Sequence, residues 1–346
     1  MRAARLESIG NPLALRDIDV PLVPNKGALV KVKAAGVCHS DVHLRDGGYG
    51  KIDIVRDLGA KLPITLGHEI AGIVEEVGQD VRGFSVGDRV IVDPWIGDGT
   101  CKYCVSGQNN LCDNPTNLGE NVDGGYAELV MVPDAAYLAK TNMTFSNAAP
   151  LSCSGLTVFS ALKKASLNPS MFLLLVGAGG GLGSMAVQLS KLQGAPTVIG
   201  VDISSKALSM AKSLGADFAF DANDSNLERD IKSATDGYGP DVIIDFNSST
   251  QTLSKFIPLV AKGGKYIMVG LYGGRLEYDS PFLINYQKQI ATSVVGTLKE
   301  FKELVALSNR NYLKSTVTSS LKLESVNTAI DNLKKGAALG RQVIEF

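Results

Sequence analysis

Every histidine and cysteine of this 346-residue chain falls within its first 153 residues. The histidines are His39, His43 and His68; the cysteines are Cys38, Cys101, Cys104, Cys112 and Cys153. Imidazole and thiolate are the ordinary ligands of zinc, and crowding of this kind points to metal sites rather than to random usage.

Three of these cysteines lie close together, behind an acid. Asp98-x2-Cys101-x2-Cys104-x7-Cys112 offers a carboxylate and three thiols on one short segment. Such a set suits a closed tetrahedral zinc that cross-links a loop and has no open position for chemistry. Left unligated, three surface thiols would be an oxidation liability.

The second group is dispersed. Cys38-His39-Ser40-Asp41-Val42-His43, Gly67-His68-Glu69 and Leu151-Ser152-Cys153-Ser154-Gly155 come from three segments. Taken singly, Cys153 reads as a small buried hydrophobe, and His68 as a satisfied polar residue. Taken together, Cys38, His68 and Cys153 form a Cys2His zinc set whose fourth position stays open to substrate.

A third signal follows an apolar run. Gly177-Ala178-Gly179-Gly180-Gly181-Leu182-Gly183 stands between a strand pattern, Phe172 to Val176, and a helical one, Leu182 to Leu192. In that setting a glycine turn lets the backbone approach a pyrophosphate, which the helix N-terminus then holds. The spacing before Gly183 is one residue longer than the strict G-x-G-x-x-G form. Asp202 ends the next strand, where a carboxylate accepts from a ribose diol and repels a 2′-phosphate, favouring NAD over NADP. Asp202 could equally cap the following helix. Lys206 lies one turn further on, also within reach of the ribose.

The elements that must position these groups fall into two kinds. Met1 to Leu6, Leu13 to Asp17, Ala28 to Ala34, Ala71 to Val77 and Arg89 to Val92 are short strand patterns broken by Pro and Gly, a mostly-β region with functional loops. From Phe172 the period changes. Apolar runs at Phe172–Val176, Thr197–Val201, Phe218–Phe220, Val242–Phe246, Tyr266–Val269 and Thr292–Val295 alternate with helical patterns. Six such strands predict a doubly wound α/β fold around a parallel sheet. Ser325 to Lys335 then reads as an amphipathic helix, and Gln342 to Phe346 as a last strand.

Length and charge narrow the function. A chain of 346 residues suits two domains. With 34 basic and 35 acidic residues and a net charge of −1, nothing favours nucleic acid. No apolar stretch suits a signal peptide or a membrane span. An odd number of closely spaced cysteines predicts a cytoplasmic, metal-binding protein rather than a disulfide scaffold.

These residues resemble the zinc-containing medium-chain alcohol dehydrogenases over essentially the whole chain. The matching motifs are Gly36-Val-Cys-His-Ser-Asp41, Gly67-His-Glu69 ahead of Ala71-Gly72, the 98–112 cluster, and Gly177 to Gly183 with Asp202. The segment from Gly50 to Pro63, and an acid in place of the first cluster cysteine, look most like the archaeal thermophilic members. The resemblance implies a GroES-like catalytic domain, residues 1–153 and 297–346, and a Rossmann domain, residues 154–296. It implies a catalytic zinc on Cys38, His68 and Cys153, with Glu69 close enough to approach the metal and Asp41 orienting His68. A structural zinc on Asp98, Cys101, Cys104 and Cys112 would make two Zn2+ per subunit. Ser40 would pass the alcohol proton towards the cofactor ribose and His43 would release it. His39, Val269, Ser293, Val295 and Arg341 match positions that meet the cofactor. Trp95 reads either as a substrate-pocket wall or as a core aromatic.

The activity so implied is NAD-dependent interconversion of primary or secondary alcohols and aldehydes or ketones, by a homotetramer that needs neither nucleic acid nor membrane. A zinc polyol or formaldehyde dehydrogenase of the same superfamily is the nearest alternative. A zinc-free reductase would leave Cys38, His68 and Cys153 without purpose. A zinc-stabilised nucleic-acid-binding protein would want a basic face, but Lys102 is the only basic residue from Asp98 to Asp113.

Overall fold

The structure, a computed structural model, describes residues 1–194, 197–310 and 313–346. Two compact units emerge: Met1–Leu156 with Thr297–Phe346, and Thr157–Gly296. The front boundary lies after Leu156, inside the helix Ser154–Ala165, rather than after residue 153. Packing explains the shift, because Gly155 sits against Leu151 and Leu304 of the first unit.

The first unit is built on a mostly antiparallel sheet. Among the described residues its strands run Leu138–Lys140, Arg89–Val92, Glu69–Val77, Ala28–Val37, Arg341–Glu345 and Val317–Leu321, with Leu129–Val132 also on Ala28–Val37. The sequence of Ala28–Val37 shows why it lies at the centre. Val30 and Val32 are buried while Lys31 between them is exposed, and from Ala34 to Val37 every residue is buried. The pair Ala28–Val37 and Glu69–Val77 carries two register shifts. Irregularities of this kind bend strands and re-aim side chains. The pairing nonetheless sets Gly36 opposite Glu69, one residue beyond His68.

The second unit carries six parallel strands among its described residues. Their order is Phe218–Asp221, Thr197–Asp202, Phe172–Val176, Val242–Asp245, Lys265–Met268 and Gln289–Thr292. Central strands are apolar on both faces: Leu173, Leu174, Leu175, Ile243 and Ile244 are fully buried, as helices on both sides of a parallel sheet require. The chain reverses its direction of winding between Phe172–Val176 and Val242–Asp245, the crevice where this architecture binds ligands.

Three sequence expectations change here. The last parallel strand is Gln289–Thr292, not Thr292–Val295. Pairing with Lys265–Met268 ends at Thr292, and Val295 takes a positive φ of 35°, which no strand residue adopts. Val317–Leu321, absent from the sequence reading, alternates weakly (Val-Thr-Ser-Ser-Leu) and holds its place by pairing with Arg341–Glu345. Asp202 does not cap a helix: Ser204 holds that position for the helix Ser205–Leu214. Among the described residues no helix is long and apolar enough to cross a membrane.

Candidate active site

In the first unit Cys38, His68, Glu69 and Cys153 converge. One ligand atom from each lies within 4.8 Å of all the others, and all four residues are buried. Three local structures make this convergence. Cys38 follows Ala28–Val37 and is the N-cap of the helix His39–Asp46. His68 precedes Glu69–Val77. Cys153 ends the short turn Ala149–Ser152, held where Ile70 N–H donates to Ser152 Oγ at 3.2 Å and Ser154 N–H to Glu69 Oε1 at 3.3 Å.

The donor set fits zinc. The sulfurs of Cys38 and Cys153 are 4.0 Å apart; two thiolates on one tetrahedral zinc lie about 3.8 Å apart. His68 is fully buried, yet neither of its ring nitrogens has a hydrogen-bond partner. A buried imidazole left open on both sides is costly unless a further ligand completes it. Its Nδ1 faces Asp41 Oδ1 at 3.6 Å, which leaves Nε2 for a metal in the arrangement usual for zinc-binding histidines.

Electrostatics agree. A hydrogen bond from Cys153, then the charges of Arg341 and His68, outweigh burial and hold the Cys38 thiol well below its ordinary pKa. Cys153 is pushed up by that same hydrogen bond and by burial. Burial alone would lower the His68 pKa, but the Asp41 carboxylate and Cys38 together raise it. Asp41 is itself over-determined. Its Oδ2 accepts from Cys38 N–H at 2.8 Å and from the Tyr126 hydroxyl at 2.7 Å. Glu69 is equally constrained: Arg341 Nε donates to its Oε2 at 2.9 Å, and Arg341 Nη2 bonds its Oε1. A side chain at Gly36 would overlap the Glu69 carboxylate, so glycine there gives the acid its space.

Around this centre stand the other expected residues of the unit. The Trp95 ring lies 5.5 Å from the His68 ring, and its Nε1 donates to Ser152 O at 3.2 Å. It is buried and bonded beside His68, an arrangement compatible with either reading. Ser40 and His43 lie on the first helix, half-buried. Burial lowers the His43 pKa, which keeps the imidazole neutral and able to accept a proton. His39 is lowered by burial as well, and its ring lies 5.7 Å from that of His43. Arg341 is buried on Glu69, which meets the need of a buried guanidinium for a carboxylate.

Sequence reasoning missed Tyr126, Tyr49 and Glu120. Tyr126 is buried with its hydroxyl on Asp41. The Tyr49 hydroxyl donates to Glu120 Oε1 at 3.0 Å. Tyrosine and glutamate are common surface types, and nothing in their local spacing marks them as buried.

The loop cluster also comes together. Ligand atoms of Asp98, Cys101, Cys104 and Cys112 lie within 4.8 Å of one another, and Cys101 and Cys112 sulfurs are 3.8 Å apart, again the separation that zinc requires. Asp98 Oδ1 accepts from Thr100 N–H at 2.8 Å and Cys101 N–H at 2.9 Å, which holds its carboxyl well below the usual range.

In the second unit the glycine turn follows Phe172–Val176 at the carboxyl edge of the sheet. Gly177 has φ +83°. Gly183 leaves no room for a side chain against Gly177 O, whereas a Cβ at Gly180, the N-cap of Gly181–Leu192, would meet only Gly177 O at an ordinary contact distance. The close turn, the open backbone and the fresh helix N-terminus fit a pyrophosphate. Asp202 Oδ2 accepts from Gly179 N–H at 3.0 Å, and Oδ1 from Ile203 N–H at 2.8 Å. Leu182 is half-buried behind the turn, and Lys206 is exposed on the next helix. Val269, Ser293 and Val295 also follow strand ends on this edge. Lys164 Nζ donates to Ser293 Oγ at 3.0 Å.

Comparison with known proteins places these features in context. Residues 24–142 match the alcohol dehydrogenase GroES-like domain, and residues 181–310 match the zinc-binding dehydrogenase family. The chain is 49% identical over 345 residues to an NAD-dependent alcohol dehydrogenase of Sulfurisphaera tokodaii, covering 99% of each. It is 49% identical, over the same shares, to one of Saccharolobus solfataricus. The crystal structure of the alcohol dehydrogenase from Aeropyrum pernix superposes with a TM-score of 0.91 at 36% identity, covering 100% of both chains.

Proposed function

The chain belongs to the zinc-binding dehydrogenase family with an alcohol dehydrogenase GroES-like domain, and from that premise we propose that it interconverts primary or secondary alcohols and aldehydes or ketones with NAD. The observation that supports this reading most directly is His68, buried, bonded through neither nitrogen, and gathered with two thiols beside a half-buried serine and histidine.

Cys38, His68 and Cys153 would hold the catalytic zinc, which supplies a Lewis acid for an alcohol or carbonyl oxygen while NAD supplies the hydride acceptor. Asp41 presents Oδ1 to His68 Nδ1 and is itself fixed by Tyr126 and the Cys38 amide. Ser40 receives the alcohol proton, and the neutral His43 imidazole accepts it for release. Glu69, held by Arg341, keeps a carboxylate at the ligand set and ties down the Cys153 turn through Ser154 N–H. Trp95 shapes the substrate wall beside His68.

The glycine turn from Gly177 to Gly183, with Leu182 behind it, takes the pyrophosphate. Asp202 takes the adenosine ribose, with Lys206 at its side. We assign Val269, Ser293 and Val295 to the cofactor's nicotinamide end, and His39 and Arg341 to cofactor contacts from the first unit. Asp98, Cys101, Cys104 and Cys112 would hold a second zinc that staples their loop.

Metal removal tests the proposal. Cys38→Ser and His68→Ala proteins should still bind NADH by fluorescence titration, yet lose alcohol oxidation by about two orders of magnitude or more. Turnover unchanged in both would overturn it.

A further inference from the structure

Glu120 is an unexplained charge beside the candidate active site. It is 7% exposed, and among the described residues no cation lies within ion-pair distance of it. Its two bonds come from neutral donors: the Tyr49 hydroxyl to Oε1 at 3.0 Å and Asn117 Nδ2 to Oε2 at 3.1 Å. Burial, first of all, raises its pKa, and the charge of His68 partly offsets this. A carboxylate kept dry without a counter-ion is costly. Side chains arranged this way tend to serve a site rather than stability.

What Glu120 holds in place are two half-buried polar groups. Asn117 is the cross-strand partner of Trp95, whose ring packs beside His68. Its backbone N–H is pinned by Asn121 Oδ1 at 2.8 Å, so the strand Thr116–Asn117 is fixed. The Tyr49 ring lies 5.4 Å from that of His43, and the Ser40 hydroxyl is near enough to the phenol to counter the rise that burial causes in its pKa. Asn117, Tyr49 and Ser40 thus border the same region as His68 and Trp95. With one amide hydrogen committed to Glu120, Asn117 keeps a second N–H and its carbonyl oxygen; Tyr49 keeps an acceptor lone pair. A purely hydrocarbon substrate would leave these groups stripped of water and unpaired.

We propose that Tyr49 and Asn117, positioned by Glu120, recognise a second hydroxyl on the substrate, so that the alcohols this site prefers are diols or hydroxyaldehydes rather than simple alkanols. This rests on the dehydrogenase reading above and names its substrate class. Hydrogen-bond recognition discriminates strongly in this direction, because a substrate lacking the hydroxyl strands the polar groups built to meet it. Asn117 and Tyr49 set specificity by direct contact; Glu120 is a positioning residue.

The test compares propane-1,2-diol with 1-propanol, by kcat/KM, in the parent protein and in Asn117→Leu, Tyr49→Phe and Glu120→Gln proteins, each checked for folding by NADH titration and Tm. The parent should favour the diol about tenfold or more. Asn117→Leu and Tyr49→Phe should each cut that ratio several-fold, mainly through KM of the diol, while turnover of 1-propanol holds or rises. Glu120→Gln, whose single carbonyl oxygen can accept from Asn117 Nδ2 while its amide N–H donates to the Tyr49 oxygen, should retain most of the preference. A parent that favours 1-propanol, or variants that lower both substrates equally, would overturn the proposal. Oxidation of neither alcohol by a zinc-loaded parent that binds NADH would instead sink the dehydrogenase reading.

Discussion

Arg341, on the last strand of the first unit, grips Glu69 across 272 residues of sequence, with both oxygens of the carboxylate engaged. Both side chains are buried. The pair therefore does two things at once. It satisfies a charge next to His68 of the candidate metal set, and it sews the strand Arg341–Glu345 to the mouth of that site.

Removing one partner of such a pair costs far more than removing both, because a lone buried charge remains. Arg341→Met should destabilise the protein by about 3–5 kcal/mol, seen as a clear fall in Tm. The double variant Glu69→Met with Arg341→Met should recover much of that loss. A single variant as stable as the parent would show that Glu69 finds another partner or is not charged.

Asp202 carries a second prediction. Its carboxylate, which we propose meets the ribose, also accepts from Gly179 N–H in the glycine turn. Asp202→Gly should thus narrow the preference for NAD over NADP by roughly tenfold, about 1.4 kcal/mol, and also raise KM for NAD, because the turn loses its anchor. Steady-state kinetics with both cofactors decides this. A parent that already uses NADP as readily as NAD would refute the role given to Asp202.

A third concerns the loop cluster. If Asp98 completes a structural zinc with Cys101, Cys104 and Cys112, Asp98→Ala should reduce bound zinc from two per chain towards one and lower Tm. Alcohol turnover at moderate temperature should survive, since that metal has no open position. Metal analysis showing two zincs still bound would remove Asp98 from the ligand set.

Much of this architecture was legible in the residues, for a physical reason in each case. The parallel sheet announced itself because strands buried on both faces read as unbroken apolar runs, as at Phe172–Val176. The last of them drifted by three residues because Gln289–Thr292 is half-exposed and carries no such run. The metal sets were visible because cysteine and histidine are scarce and occur nowhere after Cys153. Tyr126, Tyr49 and Glu120 were not, since their meaning comes from partners 85 and 71 residues away. The order of strands in the first unit was equally hidden, being set by pairings of great sequence separation.

One of those pairings bears on how the molecule is made. Arg341–Glu345 lies between Ala28–Val37 and Val317–Leu321, and its partners on the older strand are Ala34, Ala35, Gly36 and Val37. While a ribosome works through the intervening three hundred or so residues, that stretch of backbone waits without its mate, immediately ahead of Cys38. The contiguous middle unit suffers no such delay. Newborn copies therefore carry an exposed strand edge beside their future reactive centre, open to pairing with another chain until the last strand is made.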